Sequence, residues 1–207
     1  MSSDPETTVA RAPKRARGKQ RVAELLQAAA AVFAEKGYEA ATMTEIAARA
    51  GAPIGSLYQF FPVKEALADS LVQNYVGVLT ADLQALEAGA AQMELQVLVE
   101  RLFGLLRSHP EERAAALPLA ETRMDEKTRR TTFRHMLRKH IAAILRARSP
   151  SLSQERARDL AIVVLQMMKA VSSLSDEEGL PGRTVGMREL QLVALQYLEQ
   201  RLEGVGK

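Results

Sequence analysis

The chain has 207 residues, with 28 Lys or Arg, 25 Asp or Glu, and neither Cys nor Trp. Its longest apolar run, Ala28 to Ala34, is far shorter than the about 20 residues that a membrane-spanning helix needs, and the N-terminus lacks the apolar core of a secretory signal. The absence of cysteine excludes disulfides, iron–sulfur clusters and thiolate zinc sites. With three histidines, we expect no metal or other cofactor, no membrane contact and a cytoplasmic protein.

The composition favours helix over sheet. Aromatic residues make up 4% of the chain, Ala and Leu are abundant, and runs rich in Val, Ile and Thr are scarce. An apolar fraction of 47% is sufficient for a buried core. We therefore expect one all-α domain or two small ones.

The positive charge is concentrated at the N-terminal end. Residues 1–64 have nine basic and six acidic side chains, and the rest of the chain has 19 of each. Six of the basic residues fall between Arg11 and Arg21, with no acidic residue among them. Residues 1–18 are predicted to form a flexible arm, which either lies along a polyanion or is a solvated tail.

Three helices are predicted next. The first has apolar residues at helical spacing and ends at Gly37. Thr42 and Glu45 have the spacing of a capping box that begins a second, short helix, which ends at Gly51. A third segment, Ile54 to Phe61, buries Leu57 and Phe61, four residues apart. Two short helices joined by a tight turn that contains glycine are typical of a helix-turn-helix.

Longer amphipathic helices fill the remainder. A fourth helix runs from Lys64 to Gly89, and others are predicted over 95–106 and 133–144. The segment 111–130 is predicted to be shorter or broken helix around Pro118. Residues 160–171 and 190–202 complete the chain, and because Leu160 to Leu165 is flanked by good helix formers, helix is favoured there over a buried strand.

The stretches Val32 to Gly51 and Gly55 to Leu67 closely resemble the DNA-binding domain of TetR/AcrR-type transcriptional repressors. The resemblance implies an all-α fold: an N-terminal three-helix helix-turn-helix DNA-binding domain over 19–67, and a larger C-terminal helical dimerisation and ligand-binding domain over 68–207. It also implies a sequence-specific repressor, not an enzyme, that a small-molecule ligand releases from a palindromic operator.

The resemblance further assigns contacts with double-stranded DNA. Positions that touch phosphates in the family correspond to Thr42, Thr44, Tyr58 and Lys64, which offer hydroxyl donors and a cation. Positions that read base edges correspond to Pro53, Ile54, Gly55, Ser56 and Gln59, of which Gln59 is suited to adenine and Ile54 to a thymine methyl group. Pro53 replaces a capping Ser or Thr, and Phe60 replaces a frequent His, so that one phosphate contact is expected to be absent. Tyr58 as a core aromatic and Lys64 as a solvated cation are the alternatives.

The C-terminal half is predicted to pair as a homodimer, because its last helices are apolar on more than one face. The predicted interface residues are Ile162, Val163, Met167, Val193 and Tyr197. The small-molecule pocket that the resemblance implies is assigned to Tyr75, Phe103, Met124, Phe133 and Met136, although each of these also suits ordinary core packing.

Two other functions remain open at this stage. An enzyme would need a site assembled from distant residues, because no His-x-x-x-His pair, Gly-x-Ser-x-Gly elbow or phosphate-binding glycine loop occurs in the sequence. A DNA-binding protein that responds to a partner protein would have much the same sequence. A cavity with convergent polar groups would favour the small ligand.

Overall fold

A computed structural model describes residues 16–122 and 126–202. The described residues form nine α-helices and no strand, which confirms the all-α prediction. The helices are α1 (Ala16–Ala40), α2 (Met43–Arg49), α3 (Ile54–Phe60), α4 (Lys64–Gly89), α5 (Leu95–Gly104), α6 (Pro110–Thr122), α7 (Glu126–Arg148), α8 (Gln154–Asp176) and α9 (Arg183–Leu202). Single 3-10 turns follow α4 and α5. Most of the predicted N-terminal arm lies outside the described residues.

The helices divide into two units. The first contains the chain up to Val76 together with the segment Pro110–Glu126, and the second contains Gly77–His109 and the chain from Lys127 onward. Helix α4 therefore contributes residues to both units. The domain boundary after residue 67 stays a prediction, since the division by contacts falls nine residues later and includes α6 in the first unit.

The core of the first unit is built from every helix that belongs to it. Leucine, isoleucine and phenylalanine side chains that are almost fully buried come from each, namely Leu25 of α1, Ile46 of α2, Leu57 of α3, Phe61, Leu67 of α4 and Leu119 of α6. Burying a side chain of this size contributes about 1.5 to 3 kcal/mol. The predicted burial of Leu57 and Phe61 is confirmed.

Two features of this unit concern helix ends. Gly37 has φ 77° and interrupts the helical backbone of α1 near its C-terminal end, as the sequence predicts. The sequence predicts shorter or broken helix around Pro118. The helix does not break there, because α6 continues through Pro118, but it is short and ends at Thr122. Proline removes one backbone hydrogen bond and costs about 3 kcal/mol within a helix. Its neighbours are good helix formers, and α6 packs against α1 with Ala115, Ala116 and Leu119 buried, which offsets that cost.

The second unit is organised around α8. This helix packs against α9 and α5, and its buried residues include Leu160, Val164, Leu165 and Met168. The segment 160–165 is helical, as predicted. Over residues 16–122 and 126–202, no helix combines the length and the apolar character required to cross a membrane.

Candidate nucleic-acid interface

Helix α2 begins with the predicted capping box. The Glu45 backbone N–H donates to the Thr42 Oγ1 at 3.2 Å, and the Thr42 N–H donates to the Glu45 Oε2 at 3.1 Å. The Thr42 hydroxyl also donates to that carboxylate at 2.9 Å. The start of α2 is therefore fixed by its own sequence. Within this arrangement the Thr42 hydroxyl already has an acceptor.

The turn between α2 and α3 requires a glycine. The Ala52 N–H donates to the Ala47 carbonyl at 2.9 Å, and the Gly51 N–H donates to the Ala48 carbonyl at 3.1 Å. This is a Schellman motif, in which the residue after the cap is left-handed, and Gly51 has φ 57°. Pro53 then precedes α3 without a side-chain cap, as predicted, and its carbonyl accepts from the Ser56 N–H at 2.8 Å.

Most of the predicted DNA contacts lie on the accessible side of this helix pair. The exposed ones are Thr42, Thr44, Pro53, Ile54, Gly55, Tyr58 and Gln59. Tyr58 is 48% exposed and Ile54 is 40% exposed, so Tyr58 is not a core aromatic. Ser56 is half-buried, and Phe60 packs against the core of the first unit. The contacts of all these residues with DNA stay predictions.

Lys64 has a role that the sequence did not indicate. Its Nζ donates to the carbonyl oxygens of Tyr38 at 2.8 Å, Glu39 at 3.1 Å and Ala41 at 3.0 Å, and lies 4.4 Å from the centre of the Tyr38 ring. An ammonium group has three donors, so all of them are used at the C-terminal end of α1. Lys64 is not a free solvated cation, and its contact with a phosphate stays a prediction.

Two ion pairs that the sequence analysis missed join α1 to α2. The Arg49 guanidinium makes a bidentate ion pair with the Glu35 carboxylate, and the Lys36 ammonium pairs with the Glu45 carboxylate. The Lys36 ammonium and the Thr42 cap lower the pKa of Glu45 to about 2, and Arg49 lowers the pKa of Glu35. The Glu35 and Glu45 carboxylates are thus each paired with a cation of the same chain.

A second exposed apolar surface lies on α8, α9 and the loop between them. Of the predicted dimer residues, Ile162 is 45% and Val193 is 52% exposed, and Val163, Met167 and Tyr197 are half-buried. Leu180, Val185 and Leu192 were not predicted to belong to it, and they are 41%, 52% and 44% exposed. Apart from Ile54 and Tyr58, the large hydrophobic side chains that are exposed in the described chain all lie in this region.

The residues predicted to line a ligand pocket differ in their burial. Phe103 and Tyr75 are buried, Phe133 and Met136 are half-buried, and Met124 lies outside the described residues. Burial raises the pKa of Tyr75, which belongs to the first unit, whereas Phe103, Phe133 and Met136 belong to the second. Their role in ligand binding stays a prediction.

Comparisons with known proteins agree with this architecture. The family model "Bacterial regulatory proteins, tetR family" matches residues 25–71, and the model "Tetracyclin repressor-like, C-terminal domain" matches residues 91–198, more than half of the chain. The chain belongs to the TetR family of bacterial regulatory proteins. The N-terminal match contains the helix-turn-helix, and the C-terminal match contains most of the second unit.

Relatives within the TetR family include named repressors. The HTH-type transcriptional repressor KstR2 of Mycobacterium tuberculosis is 40% identical over 82 residues, which span 40% of this chain and 38% of the repressor. KstR2 of Rhodococcus jostii is 43% identical over 53 residues, which span 26% of each chain. The matches thus span well under half the length of these relatives.

Solved structures of other TetR regulators share the fold over nearly the whole chain. A tetR-family regulatory protein from Rhodococcus RHA1 is 20% identical with a TM-score of 0.60, and the match covers 90% of this chain and 97% of that one. FadR of Bacillus subtilis in complex with stearoyl-CoA is 16% identical with a TM-score of 0.58, covering 88% and 98%.

Proposed function

We propose that this TetR-family protein is a cytoplasmic homodimer that binds a palindromic DNA operator, represses transcription, and is released by a small-molecule ligand. The observation that carries the proposal is the exposed face of α3, with Ile54, Tyr58 and Gln59 accessible on a helix whose position is fixed by the capping box and by Gly51. A short rigid helix with polar and apolar side chains on its outer face suits the major groove.

The exposed residues of α2 and α3 are assigned two different roles in DNA binding according to their side-chain chemistry. Gln59 carries an amide that can bond adenine with two hydrogen bonds, Ile54 carries a methyl surface for thymine, and Gly55 allows close approach of the backbone. Tyr58 and Thr44 carry hydroxyl groups for phosphate oxygens. Sequence preference is therefore assigned mainly to Gln59 and general affinity to the hydroxyl groups.

Pairing of two copies is supported by the apolar surface of α8 and α9. Exposed aliphatic side chains such as Ile162, Leu192 and Val193 are costly in water, and a two-fold axis would bury the same patch on both copies. Dimers of helix-turn-helix proteins read half-sites about 34 Å apart. A palindromic operator follows from that symmetry.

Release by a ligand is supported by the family relationship and by α4. That helix begins at Lys64, beside the DNA-binding helices, and continues to Gly89 in the second unit. One of the related structures, FadR, is in complex with stearoyl-CoA. A ligand that binds one arrangement of the second unit more tightly shifts the population of DNA-competent dimers by that difference in affinity.

The test is selection of bound duplexes from a randomised DNA pool with the purified full-length protein at moderate salt. We expect an enriched palindrome whose half-sites are about one helical turn apart. A variant with Gln59 and Tyr58 both changed to Ala is the matched control, and we expect it not to enrich that sequence. Salt-sensitive binding without any enriched sequence would contradict the proposal, because it would leave only general attraction to a polyanion.

A further inference from the structure

A groove of about 700 Å³ lies between α7 and α8 in the second unit. Its lining includes the small side chains of Ala142 and Ala143 and four cations, Arg138, Lys139, Arg146 and Arg158. Along α7 it extends from His135 to Arg146, about 16 Å at the rise of an α-helix. This volume is in the range of small-molecule sites. None of the residues assigned to a ligand from the sequence lines it.

The charge of this groove is strongly one-sided. Its lining within the described chain includes no Asp or Glu, and residues 133–148 contain five Arg or Lys and no acidic residue. Among the described residues, Arg138, Lys139, Arg146 and Arg158 form no ion pair. Surface cations that serve solubility are normally interspersed with carboxylates, so this arrangement concentrates positive potential in one concave site.

Two further observations concern Arg138 and the positive charges near it. The Nε of Arg138 is buried and has no hydrogen-bond partner, and an unmade bond of this kind costs about 1 to 3 kcal/mol. Burial and the nearby positive charges of Arg134 and Arg138 lower the pKa of Lys169 of α8. An anion in the groove would reduce the repulsion among these positive charges.

We propose that the groove between α7 and α8 binds a small molecule with two or more negative charges, such as a phosphorylated or polycarboxylate metabolite. Three guanidinium groups and one ammonium group match several anionic groups, because each anionic group is most strongly held by its own guanidinium or ammonium. Ala142, Ala143 and Ile162, which also line the groove, supply apolar surface for the rest of the molecule.

A small ligand fits this site better than duplex DNA does. The groove is lined by residues of α7 and α8 and encloses about 700 Å³. A DNA duplex is too wide to enter a space of this size. A phosphate or carboxylate group on a small molecule can enter it.

The inference deepens the ligand step of the proposed function and rests on that function only for its consequence at the operator. Ile162 lines the groove and also belongs to the predicted pairing surface, so an occupant would bear on the packing of α8. Binding itself is measured without DNA. Failure of the groove to bind anions is therefore distinguishable from failure of the protein to select an operator.

The experiment is calorimetric titration of the full-length protein with inorganic triphosphate and with ATP, with adenosine as the neutral comparison. An ionic strength of about 0.15 M limits long-range attraction to about 8 Å. We expect both anions to bind and adenosine not to bind. Changing Arg146 and Arg158 together to Gln should weaken binding at least tenfold, and both side chains are exposed, so the fold should tolerate the change.

The matched control is Arg156→Gln, which removes an exposed cation from the same helix outside the groove. It should change the affinity less than twofold. Absence of binding by triphosphate, or equal weakening by Arg156→Gln, would overturn the proposal. So would a groove variant that binds triphosphate as the unaltered protein does but loses affinity for non-operator duplex, because the cations would then serve DNA.

Discussion

The Nζ of Lys64 donates to the backbone carbonyl of Tyr38 at 2.8 Å and lies 4.4 Å from the centre of that residue's ring. Lys64, the first residue of α4, is thereby hydrogen-bonded to the C-terminal end of α1. The Tyr38 hydroxyl in turn donates to the Glu65 carboxylate at 2.9 Å. These two contacts join α1 to α4 through residues that are neighbours in space and 26 and 27 positions apart in the sequence.

Lys64→Met is expected to destabilise the protein by about 1 to 3 kcal/mol, because hydrogen bonds from a charged donor to three carbonyl oxygens are lost. The measurement is denaturant unfolding, with Lys19→Met, an exposed lysine of α1, as the control. If stability is unchanged but the salt dependence of DNA binding becomes shallower, the main role of Lys64 is a phosphate contact and the structural role assigned here is wrong.

Stability should fall as the pH is lowered from about 5 towards 2. The Lys36 ammonium and the Thr42 cap hold the pKa of Glu45 at about 2, below its ordinary value of 4.5. A carboxylate whose pKa is lower in the folded state than in the unfolded state stabilises the fold at pH values above its unfolded-state pKa. That stability is lost as the pH falls to its folded-state pKa. Glu35, whose pKa Arg49 also lowers, adds to the same dependence.

Urea unfolding at a series of pH values measures this effect. Glu45→Gln should flatten the dependence between pH 5 and about 2, because the titrating group is removed. Glu178→Gln, at an exposed glutamate after α8, is the control and should leave it as it is. Equal slopes for the unaltered protein and Glu45→Gln would mean that this carboxylate does not couple to folding.

Gln59→Ala is expected to relax the base preference at one position of each half-site, at a cost of about 1 to 3 kcal/mol for the preferred base. Tyr58→Phe should instead weaken binding to all sequences by a similar factor, since a phosphate contact carries no sequence information. Both side chains are exposed, so neither change should disturb the fold. Selection from a randomised DNA pool distinguishes these two effects. If the Gln59→Ala protein selects the same bases as the unaltered protein, Gln59 does not read a base.

Val193→Asp is expected to convert the dimer to a monomer in sedimentation analysis. The side chain is 52% exposed in the single chain, and a two-fold axis would place the new charge in the apolar interface twice. Gln84→Asp, at an exposed position of α4, is the control. A Val193→Asp protein that still sediments as a dimer would show that the paired surface lies elsewhere.

Local signals made much of the helix-turn-helix predictable. The capping box joins Thr42 to Glu45, the Schellman turn needs glycine at position 51, and Leu57 and Phe61 share one face of a helical turn. Each of these acts over a few residues, so the sequence reports it directly. The departure at Pro53 could also be interpreted, because a missing side-chain oxygen is visible in the sequence alone.

Interactions between distant residues were not predictable in the same way. Nothing near Lys64 in the sequence indicates that it bonds three carbonyls at and just beyond the end of α1, and nothing near Arg49 indicates Glu35. The continuation of α6 past Pro118 likewise depends on its packing against α1. The residues predicted to line the ligand pocket are apolar residues on inward helix faces. Core residues share this property, so the sequence cannot distinguish pocket residues from core residues.

The sequence by itself therefore determined the helical fold and the helix-turn-helix, because periodicity, caps and turns act within one element. Tertiary structure alone decided which partners satisfy Lys64, Arg49 and Glu45. It also decided that the cations of α7 and α8 line one groove. Those arrangements depend on which helices lie side by side, and the packing of many buried side chains sets that relation.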